Sequence, residues 1–133
     1  MNTVEDVIVL LRRLFHGGRL RRMPKKQQEA DVIMALSLLG LDPGVFLEET
    51  DINVHLSAWL DDISSDAGLD YVTLRRYLVD CGFLRRATDG AIYRICPERI
   101  DAVLPPGARD INPKQVFAEV QTVRDQRKQQ FLG

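Results

Sequence analysis

Apolar positions keep helical spacing along most of this chain and change to a hairpin pattern only once. Thr3, with Asp6 three residues on, makes a capping-box-like start, and Val4, Val7, Ile8, Leu11, Leu14 and Phe15 follow at helical intervals. His16-Gly17-Gly18 ends that first helix. A second helix is expected to open at Pro24, whose missing N–H suits a first turn, and to run to Leu39. Val32, Ile33, Ala35, Leu36 and Leu39 wrap it so widely with apolar side chains that it is the expected buried centre. Thr50 is the expected N-cap of a third helix with the stripe Ile52, Leu56, Trp59 and Leu60. Asp61 and Asp62 oppose the helix dipole at a C-terminus, so that helix should stop there.

The pattern changes between Asp70 and Ile95. On a helical wheel Tyr71, Leu74, Leu78 and Cys81 share one face, while Val72, Thr73 and Arg76 lie opposite with Arg75 flanking them. Asp70 is the expected cap by residue type, and Gly82 fits a left-handed helix stop. Phe83 and Leu84 then return to the core, and Asp89-Gly90 suits a two-residue hairpin turn. Such a turn would set Leu84 opposite Ile95, Arg85 opposite Arg94 and Arg86 opposite Tyr93. Helix, stop and hairpin make the second half of a winged helix-turn-helix. The expected fold class is therefore mainly α with a minor α+β character: a winged helix-turn-helix core with a two-stranded β-hairpin wing, plus N-terminal and C-terminal helices. Pro97 opens a short helical piece through Val103, Pro105-Pro106-Gly107 is a stop, and Asn112-Pro113 starts a last helix with Val116, Phe117, Val120 and Val123 on one side. The expected division is an N-terminal helix over 1–17, a winged-helix-like domain over 18–96 and a C-terminal helical extension over 97–133.

Charge changes the picture more than composition does. With 133 residues, 45% hydrophobic and 28% charged, the chain reads as one ordinary globular domain with appendages. No apolar run approaches the roughly 18 residues of a membrane span. Glu5 and Asp6 precede Arg12 and Arg13, the reverse of a signal peptide's charge order, so the expected location is the cytoplasm. Cys81 and Cys96 lie in no metal or redox spacing and read as buried free thiols. The net charge of −1 argues against a polyanion partner, yet the charges come in blocks. Seven cations and no acid lie between Arg12 and Lys26, and ten acids and no Lys or Arg between Glu29 and Asp70. The balance turns basic again from Arg75 to Arg99, so one side of the fold can be basic and another acidic.

Several pieces together resemble a bacterial domain-of-unknown-function family, number 2087. They are Gly18-Arg19-Leu20, Pro24 and Lys26, Glu49 with Ile52-Asn53, and Asp70 with Thr73-Leu74-Arg75-Arg76. Leu78-Val79-Asp80, Gly82, Leu84, Arg86, Asp89-Gly90 and Tyr93 complete the pattern, which covers Gly18 to Ile95. The resemblance implies a winged-helix module of the kind joined to, or named as, transcriptional regulators, and it brings no catalytic residues. Ser64 to Leu69 looks like an insertion relative to the family, and the helix from Pro113 lies outside it.

Catalytic chemistry has little to stand on. His16 and His55 are isolated, and there is no nucleophile elbow or phosphate-binding glycine loop. Asp61-Asp62 with Asp66 reads as solvated acid rather than a metal site. The expectation is a protein that is not an enzyme and needs no cofactor. Its candidate nucleic-acid contacts are Val72, Thr73, Arg75 and Arg76 in the major groove, Arg85 and Arg94 on the wing, and Arg19, Arg21, Arg22, Lys25 and Lys26 on phosphates. Each has a plainer reading beside it. Arg76 can pair with Asp80, Arg86 can stack on Tyr93, the wing arginines can diverge into water, and the linker cations can be a solvated helix end. The expected partners are duplex DNA and a second copy held through the C-terminal helix, with no membrane. The rival is a protein-interaction module that uses the winged fold as a shape, docking through the acidic block or the last helix.

Overall fold

The computed structural model describes residues 2–87 and 91–132. In chain order the elements are α1 (Val4–Leu14), α2 (Gln27–Ser37), β1 (Leu47–Glu48), α3 (Glu49–Leu60) and α4 (Tyr71–Asp80). Then come β2 (Leu84–Arg86), β3 (Ile92–Ile95), α5 (Pro97–Val103) and α6 (Pro113–Leu132), with one turn of 3-10 helix at Ala108–Asp110. The chain is mainly helical with one small antiparallel sheet among the described residues.

Local chemistry sets the helix ends. Thr3 Oγ1 accepts from the Asp6 N–H at 3.1 Å while the Asp6 carboxylate accepts from the Thr3 N–H at 3.1 Å, closing the capping box on α1. α2 starts at Gln27 rather than at Pro24, a correction with a clear cause. Leu20 and Met23 are buried, and Leu20 lies in an extended bridge beside Ser64, its N–H 2.7 Å from the Ile63 carbonyl. The linker is thus drawn into the fold as extended chain before a helix can begin. From Ala30 to Ser37 all of α2 except Asp31 is buried, as its all-round apolar pattern requires.

α3 starts at Glu49, one residue before the expected Thr50 cap, because Leu47 and Glu48 form a strand that the sequence pattern did not announce. β1 pairs with β3 (Leu47 with Tyr93, Glu48 with Ile92), and β3 also pairs with β2, giving the order β1-β3-β2. The expected two-stranded hairpin is therefore the larger part of a three-stranded sheet. α3 ends at Leu60 as expected, and Asp62 takes the left-handed conformation that turns the chain (φ 69°).

One apolar cluster joins all these parts, from Val7, Leu11 and Phe15 through Ile33, Leu56, Leu74, Leu78, Phe83 and Ile95 to Ile100 and Val116. The first half of α6 lies on α1. Val116 is buried, Phe117 meets Phe15 edge to face with centroids 5.3 Å apart, and the Gln121 side chain donates to the Phe15 carbonyl at 3.4 Å. Cys81 and Cys96 are free thiols, half-buried rather than buried.

Candidate nucleic-acid interface

α4 is held at three points. Asp70 caps it, accepting from the Thr73 N–H at 2.7 Å. Leu74 and Leu78 anchor its inner face, and Gly82 ends it with φ 82°, a conformation that side chains resist. Bonds from the Thr73 N–H and then its hydroxyl, with the nearby Arg76 charge, hold the Asp70 carboxyl below the usual range. Tyr71, expected on the packed face, is exposed at the rim, whereas Val72, Thr73 and Arg76 face solvent as the wheel requires.

Between this outer face and the sheet runs a cleft of about 300 Å³, lined by Val72, Arg76, Val79 and Asp80 on one side and Arg86 and Tyr93 on the other. Arg75 closes its floor. Although it stands next to Arg76, it is turned toward α3, where it hydrogen-bonds the Asn53 side chain and lies 3.4 Å from Glu49. Glu49 in turn accepts from the Tyr93 hydroxyl at 2.9 Å. Burial, then the bond to Glu49 and its charge, push the Tyr93 phenol up from its ordinary pKa. One polar network thus ties α3, α4 and the central strand together beneath the cleft. Arg75 differs here from its expected outward role: its charge is already answered within the fold. Arg76 and Asp80 make no ion pair, so the pairing weighed against groove contact is not formed.

The hairpin register matches the sequence expectation pair for pair: Leu84 with Ile95, Arg85 with Arg94, Arg86 with Tyr93. Asp89-Gly90, the expected turn, falls outside the described residues. Strand alternation places Leu84, Arg86, Tyr93 and Ile95 on the inner face and Arg85 and Arg94 on the outer one. The hairpin cation beside Arg76 is therefore Arg86, with its guanidinium 5.9 Å from the Tyr93 ring centroid. Arg86 was available to sequence reasoning through the two-residue period: it shares parity with the core residue Leu84, and only its length lets it reach the rim.

The basic linker is pinned near both ends of α4. Leu20 bonds to Ile63 and Ser65 in the loop before the helix, and the Gln27 side chain reaches Cys81 at its end, 3.8 Å from the sulfur. Arg21, Arg22, Lys25 and Lys26 are exposed along it. Arg19 is committed elsewhere, donating to the Asp62 carbonyl at 3.1 Å and lying over the Phe117 ring. Part of the acidic block is answered internally: Glu29 by Arg13, Asp31 by Arg99 at 3.1 Å. Among the described residues no three potential metal ligands gather, Asp61, Asp62 and Asp66 included, and no helix is long and apolar enough to cross a membrane.

The family model of an uncharacterized protein conserved in bacteria (DUF2087) matches residues 19–95, which hold the linker, α2, α3, α4 and the whole sheet. No curated protein and no solved structure matches the chain.

Proposed function

The chain belongs to the uncharacterized bacterial family DUF2087, and we propose that it is a non-enzymatic winged-helix protein that binds duplex DNA in a regulatory role. The observation that carries this reading is the exposed outer face of α4, with Val72, Thr73 and Arg76 free of the core and Arg86 of the wing across the cleft from them. A helix presenting its first two turns to the major groove reads bases with residues at such positions, and an arginine fork suits guanine. Arg86 then takes the flanking phosphate, and Arg21, Arg22, Lys25 and Lys26 meet the backbone beyond the helix. Asp80 repels phosphate at the far end of the cleft, which confines the contact to the first two turns of α4, Arg76 included.

A second reading, a protein-interaction module on the same scaffold, is favoured by Asp80 and by apolar exposure beside the sheet. Phe46 is 73% exposed just before β1, with Val45 next to it and Ile92 open on β3. Fluorescence anisotropy with labelled mixed-sequence duplexes separates the two. DNA binding requires an affinity that falls with rising salt, and absence of binding at about 50 mM salt and micromolar protein transfers the assignment to the interaction module.

A further inference from the structure

The second half of α6 extends past its contact with α1 and leaves a groove of about 980 Å³ between the two helices. Val123 is 48% exposed there, and Phe131 and Leu132 are 94% and 85% exposed. On a helical wheel Val120, Val123, Arg124, Arg127 and Phe131 fall on one face, so this side is apolar and basic together. Asp125 lies on the opposite side. Arg124, Arg127 and Lys128 line the groove and pair with no carboxylate of the described residues. The single acid at the groove, Glu119, accepts from Gln115 one turn away at 3.4 Å.

Three unanswered cations beside an exposed apolar stripe define the chemistry that covers it. A phosphate backbone would use the cations and leave Val123, Phe131 and Leu132 in water. A second α6 would bury the stripe but gather Arg124, Arg127 and Lys128 of both copies along one seam, where like charges repel. A groove whose α6 wall is apolar at Val120, Val123 and Phe131 and basic at its rim, with Arg12 and His16 facing it, fits one amphipathic helix whose flanks are acidic. We propose that the α1–α6 groove docks an acidic amphipathic helix of a partner protein. The site lies outside the residues matched by the family and does not depend on DNA binding at α4.

The probe is a fluorescein-labelled synthetic peptide of about 14 residues, matching roughly 20 Å of helix at 1.5 Å per residue. It carries leucines at helical spacing and glutamates on both flanks, and its control has lysine for every glutamate. The full-length protein should bind the acidic peptide with micromolar affinity and the control far more weakly. Val123→Asp, and separately Arg124→Glu with Arg127→Glu, should each weaken binding at least about tenfold while thermal melts stay unchanged, because these side chains are exposed. Arg76→Ala should leave peptide binding intact. Equal binding of the two peptides, or none, overturns the proposal. So does binding to phosphatidylglycerol vesicles in preference to the peptide, which would make the face a lipid contact. A dimer seen by light scattering and lost in Val123→Asp would overturn it in favour of a second copy.

Discussion

Tyr93 donates its hydroxyl hydrogen to Glu49 across 2.9 Å, joining the central strand to the first turn of α3 from a distance of 44 residues in sequence. Glu49 also faces Arg75, so a strand, a helix and the helix that carries the candidate interface share one carboxylate. The residues that suggested a DNA-reading motif thus divide by partner. Arg75 holds the scaffold, and Arg76 is left to the surface.

The Tyr93 phenol, pushed above the ordinary tyrosine value by burial and by Glu49, makes stability fall at high pH. The folded state holds this proton more tightly than the unfolded chain does. The contribution is therefore complete below pH about 10 and is lost as pH rises through the folded-state pKa. Absorbance titration should show a tyrosine step above the ordinary range, and Tyr93→Phe should remove that step. A titration that Tyr93→Phe leaves with the same high-pH step would mean that the hydroxyl is not held by Glu49.

Asp70 behaves in the opposite sense. Its carboxyl is held low first by the Thr73 N–H, so its contribution is present above pH about 4 and disappears as pH falls through the lower folded-state value. Asp70→Ala should cost about 1 kcal/mol in neutral urea melts, the range for removing an N-cap, and markedly less near pH about 2. A loss independent of pH would show that the cap works through packing rather than through the charged carboxylate.

α4 and the hairpin were readable from sequence because their signals are local. Asp70, Gly82 and the period-two alternation around Asp89-Gly90 fix the ends and the register without help from distant residues. β1 was not readable, since two residues carry no periodicity and Leu47 and Glu48 become a strand only when β3 arrives to pair with them. The direction of Arg75 escaped for the same reason. A helical wheel ranks positions by angle alone, and Asn53 and Glu49 lie on another helix. The outward parity of Arg85 and Arg94 was implicit in the register, but assigning a wing face also needs the position of α4 against the sheet.

Leu78 tests the inner face. It is fully buried between α4 and the core, and Leu78→Ala should cost about 2–5 kcal/mol, the range for emptying a packed position. Denaturant melts with an unchanged m-value measure it. A loss below about 1 kcal/mol would mean that the core closes over the gap without penalty.

Two neighbouring arginines and two wing arginines give the sharpest test of the candidate interface. Arg75→Ala removes a charged side chain bonded to Asn53 and facing Glu49, and should lower stability by about 1–3 kcal/mol with little direct effect on DNA affinity once the protein is folded. Arg76→Ala removes an exposed side chain that makes no ion pair, so stability should move by less than about 0.5 kcal/mol. On a preferred duplex the same change should cost about 1–3 kcal/mol, and on other duplexes little. On the wing, Arg86→Ala should reduce affinity for every duplex and flatten the salt slope by about 0.9, the contribution of one neutralised phosphate. Arg94→Ala, on the outer face of the sheet, should leave both unchanged. Replacing Arg21 and Arg22 together should flatten the slope by up to about two units without altering sequence preference, because phosphates carry no sequence information. If Arg75→Ala and Arg76→Ala weaken DNA binding equally at matched stability, the division between scaffold and surface is wrong. If Arg94→Ala matters and Arg86→Ala does not, DNA approaches the outer face of the sheet rather than the cleft.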